Sequence, residues 1–548
     1  MKRSRPIIKK LKNAQEDFEW YPTTKAILAV IHKDLEKFYI REFSLLDPCA
    51  GDGRVLTSLC PKGVKYGVEK SSILRECWHK DIIPIGIDFF STNLINMGAS
   101  VTFCNPPYSE YSEWVSKIIR ETESELLYFV IPARWRNNKD IKLALADRKL
   151  TYKVIGKANF NTNVDSGERK ARAVVEIIRF DNRGSHNRRS VDYGSYTYNA
   201  DPSTAFKLWY SKTFSRSFKE SKEESPFTES VQKHAIVCGS YIQALVELYN
   251  REMQQLHESF TAINNLPDNI YQILGLSKSN LSKVLLGELN RLKKKYWSEF
   301  FKQYKPIKQR LTKKNRVDLL KTLPISIDFT EENALAVTVW VLKKVQSMFD
   351  SQVIDLMEGL LTATSIKPYK SNQKTFDLDE WRFNSTSWQE KHSHYGISMD
   401  YRIVVCRPEN TLQKSHDPFR TTYINKMAEH THDFLNDIMT TARNMGVSVN
   451  LEEDSKTRNW EQRKPEVFML SNGNPFMEVR AHFNGNLHIK FDQGFLKIFN
   501  VEFGRLKGWL RHKEDAVSEL GLDAHEVAQF WKSNGNFQLG TYLKLLMV

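Results

Sequence analysis

Phe43-Ser44-Leu45-Leu46-Asp47-Pro48-Cys49-Ala50-Gly51-Asp52-Gly53 is the stretch whose reading decides the fold. Its first four residues read as a short strand, which ends on an acid and runs into a glycine turn. Gly51 and Gly53 let the backbone turn tightly and approach a ligand closely. The third glycine of the dinucleotide fingerprint G-x-G-x-x-G is replaced by Leu56, which argues against a nicotinamide or flavin cofactor.

Outward from this stretch, short apolar runs alternate with helical stretches from Tyr39 to about Phe180, the pattern of an α/β sheet. Residues 64–68 read as a second strand ending at Glu69, residues 84–87 as a third ending at Asp88, and residues 101–104 as a fourth leading into Asn105-Pro106-Pro107-Tyr108. Residues 126–131 are a fifth strand, and residues 171–178 another, after the segment Ala158-Asn159-Phe160. The special residues sit at the carboxyl ends of strands, where open α/β sheets bind ligands.

The tetrapeptide carries chemistry. An amino nitrogen on an aromatic base, or an amide nitrogen, has a delocalised lone pair and must be drawn toward tetrahedral geometry before it attacks a methyl sulfonium. The Asn105 side-chain oxygen and the Pro106 carbonyl are two acceptors for its hydrogens, an arrangement that favours the transition state over the planar ground state. Pro106 and Pro107 fix φ and stiffen the loop. Tyr108 offers a face for a planar substrate, a contact worth about 1–3 kcal/mol per base.

These features together resemble the class I S-adenosylmethionine-dependent methyltransferases. The resemblance implies a Rossmann-like domain with S-adenosylmethionine held by Asp47, Cys49, Gly51 and Gly53, by Glu69 on the ribose hydroxyls, and by Asp88 and Phe89 around the adenine. Glu19-Trp20-Tyr21-Pro22-Thr23-Thr24 resembles the segment that closes over the methionine part of the cofactor, which adds Tyr21 and Thr23; the family more often has Thr-Pro where this chain has Thr23-Thr24. Phe160 is placed like the aromatic residue that packs on a flipped base. The order of motifs is similar to the gamma group of amino-methyltransferases, typified by adenine-N6 DNA enzymes with a C-terminal target-recognition domain. The resemblance covers roughly the first third of the chain.

Composition bounds the rest. The chain has 548 residues, 41% hydrophobic and 12% aromatic, enough for two or three globular units. Its net charge of +15 suits a polyanionic partner, and a solvated basic surface is the plainer alternative. Cys49, Cys60, Cys77, Cys104, Cys238 and Cys406 form no CxxC pair, so a reduced cytoplasmic setting is expected; the resemblance implies that of a bacterial or phage-infected cell. The basic N-terminus lacks the apolar region of a signal peptide, and no uncharged apolar run of about 18 residues occurs, so no membrane association is expected.

The sequence divides into a methyltransferase domain (1–182), a polar linker (183–229), a helical basic region (230–365) and an α+β module (366–548) serving target recognition. In the helical region Leu285, Leu289, Leu292, Tyr296 and Phe300 recur at helical spacing. Around them lies a basic stretch in which Arg291, Lys293, Lys294, Lys295 and Lys302 are the DNA-contact candidates, interleaved with Trp297, Phe301 and Tyr304. Residues 273–277, followed by Leu281 and Val284, offer a weaker helix-turn-helix pattern. In the last module, alternation around Asn484-Gly485-Asn486 predicts a hairpin. This module looks like one found in phage and plasmid methyltransferases, without a mechanism attached. The pairs His392/His394 and His430/His432 lack partners in ligand spacing, so no metal is assigned.

The leading expectation is a DNA adenine-N6 methyltransferase that flips its target base from the duplex, since the amino group is out of reach within the stack. RNA adenine and protein glutamine are competing substrates, and a DNA-binding or antirestriction protein without turnover is the alternative of another class.

Overall fold

The computed structural model describes residues 4–38, 43–160, 173–182, 227–264, 278–360, 366–373, 396–406, 411–414 and 423–532, apart from residues 96, 149, 325, 326, 451, 462 and 483, with Arg169 described inside the gap after residue 160. The polar linker from 183 to 226, the turn of the helix-turn-helix pattern and the His392/His394 pair lie outside the described residues. By internal contacts the chain forms two compact units, one of Met1–Phe300 with Leu320–Trp340, the other of Phe301–Leu319 with Val341–Val548. No described helix is long and apolar enough to cross a membrane.

The first unit is built on a seven-stranded sheet: β1 (Leu45–Asp47), β2 (Lys65–Val68), β3 (Ile82–Gly86), β4 (Val101–Cys104), β5 (Leu126–Pro132), β6 (Thr151–Asn159) and β7 (Val174–Asp181). The spatial order is β3-β2-β1-β4-β5-β7-β6. The first five strands run parallel, and β7 pairs antiparallel with both β5 and β6. This is the Rossmann-like α/β architecture expected of residues 1–182. The sequence also anticipated the β4 bounds, residue for residue. β4 is buried throughout and β5 nearly so, which is why both read as continuous apolar runs.

The helices that matter for the site are α1 (Ser4–Asn13), α2 (Lys25–Leu35), α3 (Arg54–Leu59), α4 (Ser72–Glu76) and α5 (Tyr111–Glu121). α2 starts where Thr24 Oγ1 accepts from the Ile27 N–H at 3.4 Å, and α4 where Ser71 Oγ accepts from the Leu74 N–H at 3.2 Å; both are N-caps. Gly53, at φ +77°, provides the left-handed turn into α3. α5 buries Trp114, Val115, Ile118 and Ile119 on one face. Burying such a side chain contributes roughly 1.5–3 kcal/mol each.

Strand order reverses between β1 and β4, so the crevice at their carboxyl ends is the switch point where such sheets bind ligands. Asp47 ends β1 and Asn105 follows β4. Two motifs more than fifty residues apart thus face the same crevice.

The helical part of this unit corrects one sequence expectation. Lys293 is only 1% exposed and pairs with Asp328 at 2.8 Å, so it is a core cation and no phosphate contact. Trp297 is likewise buried, donating from Nε1 to the Ile327 carbonyl at 2.9 Å and packing on Phe329. Lys294 is exposed. Arg291 and Lys295 are also exposed and are partnered by Glu288 at 2.7 Å and Glu252 at 2.7 Å.

The second unit holds a four-stranded antiparallel sheet, in spatial order Arg402–Cys406, Asn486–Phe491, Pro475–Ala481, Pro465–Met469. The hairpin expected around Gly485 forms its two central strands. One core gathers Val479, Ile489 and Phe491 of this sheet with Leu435 and Ile438 of helix Glu429–Asn444 and Phe495 and Phe499 of helix Gln493–Leu506. Lys302 pairs here with Glu429 at 3.0 Å, and His432 is buried against Ser455 Oγ at 2.9 Å.

Candidate active site

A cavity of about 370 Å³ opens at the switch point. Its lining includes Tyr21, Thr23, Asp47, Cys49, Gly51, Glu69, Asp88, Phe89, Asn105 and Pro107, which brings together nearly every cofactor residue read from the sequence. Gly53 shapes the turn behind it, and Pro106, Tyr108 and Phe160 lie outside the lining.

The motif around β1 is built by backbone groups. Asp47 Oδ1 accepts from the Cys49 N–H at 3.0 Å. Glu69 Oε2 accepts from the Gly51 N–H at 2.9 Å, and its Oε1 from the Ser71 N–H at 2.8 Å. The two strand ends are therefore tied together through one carboxylate. Gly51 is needed as glycine: at φ +51° a Cβ would stand 2.5 Å from Trp20 Nε1.

The electrostatics favour a cation. Among the lining residues are eight carboxylates (Glu16, Asp17, Glu19, Asp47, Asp52, Glu69, Asp88 and Glu110) against two bases, Arg54 and Lys70. Arg54 is already engaged by Asp52 at 2.7 Å. Burial pushes the Asp47 carboxyl well above the usual range, against the pull of the Cys49 N–H, and the charges of Glu69 and Asp52 push it further. Burial likewise raises Glu69 to about 7, against the pull of the Ser71 and Gly51 N–H groups. Asp47 Oδ2 is buried without a hydrogen-bond partner. Burial also raises the Cys49 thiol well above its ordinary value.

At the other wall, Asn105 Nδ2 donates to the Tyr21 carbonyl at 3.2 Å and contacts Thr23 Oγ1 at 3.3 Å, while Asn105 Oδ1 accepts from the Tyr108 hydroxyl at 3.0 Å. Arg134 Nη2 donates to the Tyr108 carbonyl at 3.0 Å and steadies the loop from its far side. Phe160 is 1% exposed and meets Tyr108 edge to face, with ring centroids 6.2 Å apart. It therefore backs Tyr108, and only Tyr108 keeps partial exposure.

The aromatic end differs in detail from the sequence reading. Phe89 is 2% exposed and stacks on Trp114 at 3.9 Å, so its ring is already covered by a partner. Phe90 is 44% exposed and also lines the cavity. Asp88 Oδ2 accepts from the Ser91 N–H at 3.0 Å, and Lys70 stands 3.7 Å from Oδ1.

Sequence reasoning missed Trp114, which lies in the first turns of α5, and the acids Glu16, Asp17 and Asp52. The run Glu16-Asp17-Phe18-Glu19 beside the tyrosine segment was the available signal. It also missed Arg169, whose partners are some 150 residues away in sequence.

No protein-family model matches the chain, and no curated protein matches it. Solved structures match about a third of the chain. One is the Mtq2–Trm112 complex of E. cuniculi, described as responsible for methylation of a translation termination factor, at 15% identity over 30% of this chain and 99% of that one, with a TM-score of 0.23. Another is a precorrin-6y C5,15-methyltransferase from Geobacter metallireducens, at 14% identity over 30% of this chain and 96% of that one, TM-score 0.21. A third is a putative class I S-adenosylmethionine-dependent methyltransferase from Listeria monocytogenes, at 15% identity over 35% of this chain and 70% of that one, TM-score 0.23.

Proposed function

We propose that the protein transfers a methyl group from S-adenosylmethionine to the N6 amino group of adenine in DNA, with the target base flipped out of the duplex. The observation that carries this reading is the Asn105 side chain. Its nitrogen is tied to the Tyr21 carbonyl, so its oxygen is held as an acceptor at the wall of an acidic cavity.

S-adenosylmethionine brings an electrophilic methyl on a sulfonium and a second positive charge on its amino group. The cavity suits those two cationic centres, which leave the cofactor a net charge of about +1 beside its own carboxylate: the partnerless Asp47 Oδ2 and the excess of carboxylates match them and would not tolerate a nicotinamide dinucleotide with its phosphates. Asp47 is the group for the ammonium. Glu69 keeps acceptor capacity on both oxygens beyond its backbone bonds and suits ribose hydroxyls. Asp88, with Phe90 and the Phe89–Trp114 stack, suits the adenine end.

On the substrate side, Asn105 Oδ1 takes one amino hydrogen in place of the Tyr108 hydroxyl, and the amine lone pair is released for attack. Tyr108, braced by Phe160 behind it, supports the ring. DNA is favoured over a peptide by the net charge of +15. Of the five contact candidates, Arg291, Lys294, Lys295 and Lys302 are exposed enough to meet phosphates. Incubating the purified protein with methyl-labelled cofactor and, separately, duplex DNA, RNA or protein tests the reading. Label is expected in duplex DNA; label only in RNA or protein contradicts it.

A further inference from the structure

All eight residues from Glu16 to Thr23 line the cavity, so this segment is a strap along it. Gln15 and Glu19 are non-glycine residues at φ +57° and +56°, a backbone state that costs of order 1–3 kcal/mol each and persists only where surroundings impose it. Four side chains of the fold do so. Ser71 and Ser72 each donate a hydroxyl to the Glu16 carboxylate at 2.7 Å. Asn105 donates to the Tyr21 carbonyl. The fourth is Arg169, which reaches in from the connection between β6 and β7.

One guanidinium makes three contacts on the strap. Arg169 Nη1 donates to Asp17 Oδ1 at 2.6 Å and to the Trp20 carbonyl at 3.1 Å, and its Cζ sits 4.2 Å from the centroid of the Tyr21 ring. It thereby grips Tyr21, whose carbonyl faces Asn105, by its ring, and the residue before it by its carbonyl.

That carbonyl has a particular importance. The two ends of a carboxamide have nearly the same shape, so only hydrogen-bond partners decide which end faces the substrate. Asn105 has three such partners here, and the hydroxyls of Thr23 and Tyr108 can each donate or accept. The Tyr21 carbonyl can only accept. It alone forces the Asn105 nitrogen toward the strap and the oxygen toward the substrate.

We propose that Arg169 is a positioning residue for methyl transfer: by clamping Trp20 and Tyr21 it fixes the carbonyl that sets the orientation of the Asn105 amide. The inference rests on the reading of Asn105 as the acceptor for the substrate amine. Its test uses the full chain with methyl-labelled cofactor at saturation and duplex DNA, comparing Arg169→Ala in two backgrounds. With Asn105 present, kcat falls roughly 10- to 100-fold, the usual cost of a misplaced reacting group. In the Asn105→Asp background the residue offers an acceptor oxygen whichever way it turns, so the same change lowers kcat less than threefold. Arg169→Lys, which keeps a charge for Asp17 without the planar fork, recovers part of the loss.

Equal losses in both backgrounds, or a kcat for Arg169→Ala within twofold of wild type, overturn the proposal. Hydrogen exchange of residues 16–23 gives a readout independent of turnover: faster exchange is expected in Arg169→Ala, and unchanged protection overturns the clamp. A wild type that binds cofactor but labels no DNA, RNA or protein refutes the reading of Asn105, and the exchange measurement then still decides on Arg169.

Discussion

Lowering the pH should weaken cofactor binding through Glu69. Burial holds this carboxyl at about 7 in the free protein, against an ordinary value of 4.5. A bound ligand that donates hydroxyls to it and brings positive charge nearby returns it toward the ordinary value. Below pH 7 binding must therefore release a proton, and affinity falls as pH falls. With those two values, linkage gives a dissociation constant roughly twentyfold weaker at pH 5.5 than at pH 7.5, or about 1.8 kcal/mol. Asp47 is also raised, chiefly by burial, and acts in the same direction. Calorimetric titration of S-adenosylmethionine into the protein at the two pH values, in buffers of different ionisation enthalpy, measures both the constant and the proton release. A dissociation constant constant within twofold, with no proton release, would refute the electrostatic account of the cavity.

Four further outcomes follow from the geometry. Glu69→Gln leaves one of two backbone donors, Gly51 or Ser71, facing an amide NH2, which should cost about 1–3 kcal/mol in a denaturant titration and flatten the pH dependence of binding. Asn105→Ala should keep cofactor affinity within a few-fold while kcat drops about 10²- to 10³-fold, since an acceptor for the reacting amine is lost. Gly51→Ala places a Cβ 2.5 Å from Trp20 Nε1 at a positive φ, so calorimetry should show cofactor affinity lowered well beyond tenfold, and an affinity within twofold of wild type would contradict the contact. Lys293→Ala leaves Asp328 uncompensated and should destabilise the fold by about 3–5 kcal/mol; Lys294→Ala, on the exposed side, should leave the midpoint unchanged.

The parts of the fold that were legible are those where one residue type has one cause. β4 was read to the residue because its four buried positions are bounded by Ser100 and Asn105. β6 was not read as a strand: its first six residues are at least partly exposed on a sheet edge, and its polar–apolar alternation stops after Val154. The strand-end acids were legible because each stands where a parallel strand stops. Their partners were not, since Glu69 is tied to Gly51 across 18 residues and Asn105 to Tyr21 across 84.

Lys293 shows a readable signal that was overridden. It stands four residues after Leu289 and three before Tyr296, on the apolar stripe itself, yet the surrounding lysines drew it into a surface reading. Asp328, which makes its burial possible, carries no mark in the sequence. Phe89 is a similar case: an aromatic residue after a strand-end acid reads as a lid for an adenine, and only the fold reveals that Trp114 already covers it.

The central claim is that Asn105 presents an oxygen to the amino group of an adenine in DNA. It is tested most directly by mass spectrometry of nucleosides from the DNA of cells that lack adenine methylation and express either the protein or its Asn105→Ala variant. The account predicts N6-methyladenine in the first DNA and none above background in the second. Absence of the modified base with the unaltered protein, or equal amounts with both, would contradict it.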